Sequence, residues 1–252
     1  MTDAAAALPA RALAARLLGV MDLTSLNDGD TAESVLALAA LAVTPVGQVA
    51  AFCTWPRFVA AAVRALEGSG IPIAAVANFP EGHPDAGAAA TEAAAAIAAG
   101  AREIDVVFPY RALLAGDRAA GLALVRACRQ SCGSQTLLKV ILETGQLEPA
   151  GQIEAAAQIA IEGGADFLKT STGKKPPGAT ESAVRVLIAI IAAARADGQT
   201  IGLKVSGGVG TLRQAEVYLA LYEQAFGPGS ASARTFRIGT SALIRPVLAA
   251  LQ

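Results

Sequence analysis

The sequence has very little histidine, cysteine or aromatic side chain. Its 252 residues include one histidine, His83, three cysteines and 4% aromatic residues. One histidine argues against a His-based catalytic triad or a His-rich metal site, and three cysteines cannot all be paired. Cys128 and Cys132 lie one helical turn apart, a spacing more typical of a half-buried helix face than of a ligand pair. Any chemistry therefore has to come from carboxylates, lysines and the backbone.

Charge and long apolar runs are also scarce. Charged residues make up 16% of the chain, the formal net charge is −1, and no basic stripe is present, which argues against nucleic-acid binding. Uncharged apolar stretches such as 35–43 and 186–194 fall short of the roughly 20 residues that a membrane span needs. Arg11 and Arg16 lie in the N-terminal segment, which has no signal-peptide core. We therefore expect a cytoplasmic protein with neither a nucleic-acid nor a membrane partner.

Lysine is rare and confined to one part of the chain. All five lysines lie between positions 139 and 204, whereas the other fifteen basic residues are arginine. Arginine cannot replace lysine where a neutral amine must form, because guanidinium stays protonated while the pKa of a lysine can be lowered. Codon drift is the alternative, and it explains Lys174 and Lys175 as well as a function does. The surroundings of Lys169 and Lys204 favour a chemical role.

Short β-branched runs alternate with long alanine-rich stretches, the pattern of a parallel sheet covered by helices. After a leading helix near 9–18, the pattern predicts strands near 20–24, 48–53, 72–78, 102–107, 137–142, 166–170, 201–205 and 235–238. It predicts helices near 31–41, 56–68, 85–99, 117–131, 149–163, 180–196, 211–224 and 241–250. An open doubly wound sheet usually has a glycine-rich loop after its first strand, and none is present here. We therefore predict one (β/α)8 TIM barrel over 1–252, with an extra N-terminal helix.

An internal repeat places an acid and an amine at equivalent positions of two strands. The segment 97–105 reads Ile-x-x-Gly-Ala-x-x-Ile-Asp, and 161–169 reads Ile-x-x-Gly-Ala-x-x-Leu-Lys. The offset fits two βα units, so the two strands are alternate strands of the barrel. Because alternate strands contribute to one interior layer, we expect Asp105 and Lys169 to meet inside the barrel.

Lys204 lies at the matching end of the next strand. Two ammonium groups a few ångströms apart repel each other, so one of them loses its proton near neutral pH. The neutral amine can attack a carbonyl and form a Schiff base, while Asp105 holds the other lysine charged and moves protons. Spacing alone leaves open whether Lys169 or Lys204 is the nucleophile. A structural ion-pair network is the alternative interpretation.

Glycine-rich turns follow the last three predicted strands. Backbone N–H groups at such turns and at a helix N-terminus bind anions, and barrels often hold a phosphate after strands seven and eight. We therefore expect a phosphate-bearing substrate. The candidate phosphate-binding residues are Gly173, Lys174, Gly207, Gly208, Gly239 and Ser241.

Several long motifs resemble those of the 2-deoxyribose-5-phosphate aldolase family. Two of them are Glu-Ile-Asp-Val-Val-Phe-Pro-Tyr-Arg-Ala-Leu at 103–113 and Gly-Ala-Asp-Phe-Leu-Lys-Thr-Ser-Thr-Gly-Lys at 164–174. The others lie at 21–26, 44–47, 53–58, 78–80, 138–145 and 204–208, so that the resemblance runs through nearly the whole chain.

The resemblance implies a reaction and a role for each candidate. The reaction is the reversible cleavage of 2-deoxy-D-ribose 5-phosphate to D-glyceraldehyde 3-phosphate and acetaldehyde, a step of deoxyribose phosphate catabolism that needs no metal and no organic cofactor. Lys169 falls on the family's Schiff-base lysine, Lys204 on its partner lysine and Asp105 on its acid/base carboxylate. By position, the residues that line or support the substrate pocket are Asp22, Cys53, Lys139 and Thr172. Family members commonly form homodimers.

The phosphate end departs from the family's pattern. Gly210 stands where the family usually has arginine, and Ala242 stands where it often has a second serine. No tyrosine-ending tail follows Gln252. We therefore expect a weaker phosphate preference than is usual for the family. The alternatives are another Schiff-base barrel aldolase or transaldolase, and a non-catalytic phosphate-binding barrel.

Overall fold

The computed structural model describes residues 9–252, so the first eight residues of the predicted 1–252 domain lie outside the described residues. The strands are β1 Met21–Ser25, β2 Val43–Thr44, β3 Gly47–Gln48, β4 Ala51–Thr54, β5 Ile73–Ala77, β6 Glu103–Val107, β7 Leu137–Ile141, β8 Phe167–Lys169, β9 Gly202–Ser206 and β10 Phe236–Thr240. The helices are α1 Ala10–Gly19, α2 Ala32–Ala39, α3 Val59–Ala65, α4 Ala86–Ala98, α5 Tyr110–Leu114, α6 Arg118–Cys132, α7 Ala150–Glu162, α8 Glu181–Ala196, α9 Leu212–Phe226 and α10 Ile244–Leu251.

Eight of the strands close into a parallel barrel. β1 pairs with both β4 and β10, and the remaining strands follow in chain order from β4 to β10. Helices lie between consecutive barrel strands, and α1 precedes β1. The predicted (β/α)8 barrel with an extra N-terminal helix is therefore confirmed, and the doubly wound sheet is excluded.

Four local features differ from the predicted elements. The strand predicted near 48–53 begins at Ala51, because β2 and β3 form a separate antiparallel hairpin. The helix predicted near 56–68 begins with the 3₁₀ turn Pro56–Phe58, and the last helix begins at Ile244 instead of 241. The short helix α5 was not predicted.

The outward side of the barrel packs against the helices. Alternate strand residues such as Ile104, Val106 and Leu138 are buried in this layer. Burying an aliphatic side chain of this size stabilises the fold by about 1.5–3 kcal/mol. Small residues let the helices approach closely: a Cβ on Gly121 would lie 2.5 Å from the ring of Phe108. None of the helices within 9–252 combines the length and apolarity needed to cross a membrane.

The interior of the barrel is divided into two halves. On the side of β4 and β5, Cys53, Ala74 and Val76 form a small apolar cluster with Leu26. The opposite half is lined by charged side chains, which is unusual because barrel interiors are normally filled by branched apolar residues. This polar half lies beneath the carboxyl ends of β8, β9 and β10, where barrel enzymes place their active sites.

Candidate active site

Seven charged side chains fill the polar half of the barrel interior. None of these residues is more than 3% exposed. They come from β1, β6, β7, β8, β9 and β10, and we call them the charged cluster. Its members are Asp22, Glu103, Asp105, Lys139, Lys169, Lys204 and Arg237.

Asp105 lies at the centre of the charged cluster. Its Oδ2 accepts hydrogen bonds from Lys169 Nζ at 2.8 Å and from Lys204 Nζ at 2.7 Å. Its Oδ1 accepts one from Lys139 Nζ at 2.9 Å. The expected meeting of Asp105 and Lys169 is therefore confirmed, and Lys139 is paired with the same carboxylate. Since both Lys169 and Lys204 contact one oxygen atom, their amines are near neighbours.

A second set of ion pairs lies around the central carboxylate. Arg237 donates to Asp22 through Nη1 and to Glu103 Oε1 through Nη2, the latter at 3.0 Å. Lys204 also donates to Asp22, and Lys139 also donates to Glu103. Arg237 and Glu103 were not among the predicted site residues. The available signal was a charged residue at an inward position of an otherwise apolar strand.

The charged cluster contains four cations and three carboxylates. An excess buried positive charge is costly, so the arrangement favours the loss of one proton. If Lys169 is the neutral group, the remaining three cations balance the three carboxylates. Charge balance therefore favours one neutral amine inside the barrel.

The pKa values of the two amines shift in opposite directions. Burial lowers the pKa of Lys169, Asp105 opposes this effect, and the positive charge of Lys204 adds to it. Burial also disfavours the charged form of Lys204, but Asp105 and Asp22 outweigh it and raise the pKa of Lys204. Although burial alone would raise it, the pKa of Asp105 lies well below its usual range because Lys139, Lys169 and Lys204 surround it. Of these two amines, Lys169 is therefore the one that gives up its proton more readily.

A cavity of about 370 Å³ opens at the carboxyl ends of β1, β8, β9 and β10. The predicted site residues that line it are Lys169, Thr172, Gly173, Lys174, Gly207, Gly208, Gly239 and Ser241. The predicted residues that do not line it are Asp22, Cys53, Asp105, Lys139 and Lys204, which are buried in the barrel interior. Lys169 is thus the charged-cluster member that also faces the cavity.

Cys53 belongs to the apolar half of the interior. It packs with Ala74 and Val76, and burial raises the pKa of its thiol. A buried thiol with a raised pKa stays protonated and is a poor nucleophile. Its surroundings fit simple packing.

Thr172 is held by a carboxylate that sequence reasoning missed. Its hydroxyl donates to Glu143 Oε2 at 2.5 Å, its N–H donates to Oε1 at 3.2 Å, and Lys174 N–H donates to the hydroxyl at 3.0 Å. The hydroxyl hydrogen of Thr172 is therefore already donated in a hydrogen bond within the protein. Glu143 has a left-handed backbone with φ of 59°, and burial raises the pKa of its carboxyl. The motif at 138–145 contained Glu143, but no spacing rule connected it to Thr172.

The anion end of the cavity is built from glycine turns. Gly207 and Gly208 have φ of 91° and 87°, which favours glycine at both positions. A Cβ on Gly210 would lie 3.4 Å from the Cβ of Ala242, so the two residues that depart from the family's pattern are neighbours. The Gly210 N–H donates to Gln214 Oε1 at 3.0 Å, so this N–H group already has a hydrogen-bond partner.

Lys174 and Lys175 each have an acidic partner. Lys174 Nζ lies 2.5 Å from Asp28 Oδ1 and 5.8 Å from the centroid of the Trp55 ring. Lys175 Nζ lies 3.0 Å from Glu81 Oε2. Lys174 lines the cavity mouth. Within residues 9–252, no group of three or more histidine, cysteine, aspartate or glutamate residues is arranged to hold a metal ion.

Comparison with known proteins gives a consistent family. Residues 16–236 match the model of the DeoC/LacD family aldolases. Two putative deoxyribose-phosphate aldolases of known structure are each 29% identical to the chain. For that from Toxoplasma gondii ME49 the TM-score is 0.87, with 96% of this chain and 94% of that chain covered. For that from Coccidioides immitis the TM-score is 0.80, with 94% of this chain and 86% of that chain covered. The tetrameric deoxyribose phosphate aldolase of Aeropyrum pernix is 25% identical to the chain. Its TM-score is 0.73, with 95% of this chain and 91% of that chain covered.

Proposed function

The chain belongs to the DeoC/LacD aldolase family, and from this premise we propose that it cleaves and forms 2-deoxy-D-ribose 5-phosphate through a Schiff base on Lys169. One observation carries the proposal. Lys169 reaches the substrate-sized cavity and at the same time contacts Asp105, which also binds Lys204. The amine that can meet a carbonyl is therefore the amine whose surroundings favour its neutral form.

In the synthetic direction, the neutral Nζ of Lys169 adds to the carbonyl carbon of acetaldehyde, and the carbinolamine takes up a proton and loses water to leave an iminium. Removal of a proton from the methyl carbon gives a neutral enamine. The enamine carbon attacks the aldehyde carbon of D-glyceraldehyde 3-phosphate, and the new alkoxide takes up a proton. Water then hydrolyses the product iminium and frees Lys169. The iminium withdraws the electron pair, and each step is reversible.

Asp105 is placed to relay the protons of these steps. Its Oδ2 contacts both Lys169 and Lys204, so a proton leaving one amine has an acceptor within hydrogen-bond distance. Because three lysines keep the pKa of Asp105 low, the carboxylate passes protons on to a neighbour or a water and does not store them. Lys204 supplies the positive charge that disfavours protonation of Lys169.

Borohydride reduction tests the Schiff base. Protein incubated with acetaldehyde and reduced is digested, and its peptides are mapped by mass spectrometry. We expect one ethyl adduct on Lys169, and none after K169R substitution. Lys174 and Lys175 serve as internal controls, since they are partly exposed amines that would report nonspecific alkylation. An adduct on Lys204 alone, or no adduct, would contradict the mechanism.

The phosphate end supports a second prediction. Gly210 and Ala242 supply neither a cation nor a second hydroxyl, so phosphate would be held mainly by backbone N–H groups and Lys174, with Ser241 beside them. We expect a smaller ratio of kcat/KM for 2-deoxyribose 5-phosphate over 2-deoxyribose than in a family member with arginine at the first position. The variant G210R should raise this ratio about tenfold or more, since a charge-assisted hydrogen bond contributes about 1.5–3 kcal/mol.

The Gly210 site tolerates this substitution, because Gly210 has no positive φ and an added Cβ makes only ordinary contact with Ala242. The matched variant G210Q adds length without charge and should leave the ratio nearly unchanged. An undiminished ratio in the wild-type protein would refute the prediction of weak phosphate preference.

The choice of donor aldehyde separates this proposal from another Schiff-base aldolase or transaldolase. Acetaldehyde should be trapped on Lys169, whereas dihydroxyacetone compounds should not. We further propose a cytoplasmic homodimer, by analogy with the family. Light scattering after gel filtration tests the dimer, and a tetramer like that of the Aeropyrum pernix protein would contradict it.

A further inference from the structure

Arg237 and Glu103 lie in the charged cluster but do not line the cavity. Besides its bonds to Asp22 and Glu103, Arg237 donates through Nε to the carbonyl of Ala233, and its guanidinium carbon lies 5.7 Å from the centroid of the Phe167 ring. The guanidinium is thus fixed on several sides. A pair that is buried and oriented in this way, yet makes no contact with the cavity, has no part in the chemistry proposed above.

Each member of this pair is linked through one intermediate side chain to a group that acts on Lys169. Arg237 binds Asp22, and Asp22 binds Lys204. Glu103 binds Lys139, and Lys139 binds Asp105. The two paths end on Lys204 and on Asp105, the groups that contact or repel Lys169.

We propose that Arg237 and Glu103 are positioning residues which act through Asp22 and Lys139 and have opposite effects on Lys169: the charge of Arg237 favours its neutral form, and the charge of Glu103 opposes it. The inference rests on the proposed function. Removal of Arg237 leaves three cations with three carboxylates, so a charged Lys169 is no longer in excess. Removal of the Glu103 charge leaves four cations with two carboxylates and makes a charged Lys169 still less favourable.

The titratable groups that surround Lys169 can be named from every strand. β1 contributes Asp22, β4 Cys53, β6 Glu103 and Asp105, β9 Lys204 and β10 Arg237. β7 contributes Lys139, and Glu143 follows it. The inward residues of β5, Ala74 and Val76, carry no charge. Of the members of the charged cluster, Arg237 and Glu103 are the pair that hydrogen-bonds to none of Lys169, Lys204 and Asp105, whereas Asp22 and Lys139 each contact one of them.

The pH dependence of kcat/KM measures the effect, since its acidic limb follows the deprotonation of the free enzyme's reactive amine. For the variant R237Q we expect this limb to move to higher pH by about one unit. For E103Q we expect it to move to lower pH by a similar amount. A shift of about one unit is what one unit charge produces over roughly 10 Å at an effective dielectric constant of about 20. In the double variant E103Q/R237Q the limb should return close to the wild-type position.

Two further measurements keep the test independent of folding losses. The first is the rate at which cyanoborohydride traps the acetaldehyde adduct on Lys169, measured as a function of pH. This rate can be measured even when only a small fraction of a destabilised variant is folded. The variant R237K keeps the charge but loses the forked geometry, and it should keep the wild-type limb while kcat falls.

Shifts of both single variants in the same direction, or an unmoved limb in folded protein, would show that the pair is only structural. So would a double variant that fails to return towards the wild-type limb. If wild-type protein itself gives no adduct on Lys169, the proposed function fails first, and the inference fails with it. The two failures are therefore distinguishable.

Discussion

Gly239 has no side chain, and this shapes the surroundings of Lys204. A Cβ at position 239 would lie 2.9 Å from Lys204 Cε and 3.1 Å from Ser206 Cβ. Lys204 cannot move away freely, because its Nζ is held by both Asp22 and Asp105. The glycine predicted from sequence to bind phosphate thus also makes room for the partner lysine.

We predict that G239A lowers kcat about 10–100-fold with little change in KM. A methyl group at this position displaces Lys204 by a few tenths of an ångström or more, and small misplacements of catalytic groups have effects of this size. Steady-state kinetics checks the prediction. The matched control is G151A, since a Cβ on Gly151 in α7 meets nothing within 4 Å. An equal fall in kcat for both variants would contradict it.

The sequence allowed Lys169, Lys204 and Asp105 to be selected because each places a charge at an inward position near the end of an apolar strand. It could not show that the Thr172 hydroxyl donates a hydrogen bond to Glu143, because that bond depends on the conformation of two loops. Nor could it show that Arg237 reaches β1 and β6, since side-chain contacts across a barrel have no fixed spacing in the chain.

At the scale of elements, two loops meet at the mouth of the cavity. The loop after β1 carries Asp28, whose side chain is 88% exposed, and the loop after β8 carries Lys174. Their ion pair draws the Lys174 ammonium towards solvent and the Trp55 ring. A substrate phosphate has to compete with Asp28 for this cation.

We predict that D28N lowers KM for 2-deoxyribose 5-phosphate about two- to fivefold and leaves kinetics with unphosphorylated 2-deoxyribose unchanged. The size follows from the modest strength of an exposed ion pair, and added salt should diminish the gain. The control E81Q breaks the corresponding pair of Lys175, which does not line the cavity, and should change neither substrate's KM. A higher KM for the phosphorylated substrate in D28N would contradict the prediction.

The order of strands and helices was predictable because the period of the apolar residues changes clearly between the two kinds of element. The β2–β3 hairpin was not, since a two-residue strand is too short to show a period. The first residue of α10 was missed for a different reason. Thr240 accepts the N–H groups of Ala242 and Leu243 through its hydroxyl, and the helix begins after this turn.

For the molecule as a whole, the charged cluster sets a limit on stability. Burial lowers the pKa of Lys169 below its value in the unfolded chain. Between these two pKa values the unfolded chain binds the additional proton, so stability rises with pH over that range. Below the folded pKa the full cost of a charged Lys169 is present. A lysine at this buried position therefore destabilises the folded protein at pH values below the unfolded lysine pKa of about 10.4.

We predict that K169M abolishes activity, with kcat reduced about 10⁴-fold or more, and raises the free energy of unfolding at pH 7. Its advantage over wild type should be largest at low pH and should shrink as the pH approaches the unfolded lysine value of about 10.4. Urea denaturation at several pH values checks this. The control K175M removes an amine outside the charged cluster and should stay within about 0.5 kcal/mol. A K169M variant less stable than wild type throughout would contradict the charge-balance argument.

The surplus of positive charge around Lys169 also bears on what happens after the amine has reacted. An ammonium can give its proton to solvent and so remove the surplus, but an iminium carries its charge in a covalent bond to the substrate. In the proposed reaction the surplus then acts on the intermediate, whose repulsion by Lys204 is relieved when the iminium becomes the neutral enamine or is hydrolysed. The same charge imbalance that favours the neutral amine would therefore destabilise the iminium. The site would favour rapid turnover over accumulation of the covalent intermediate.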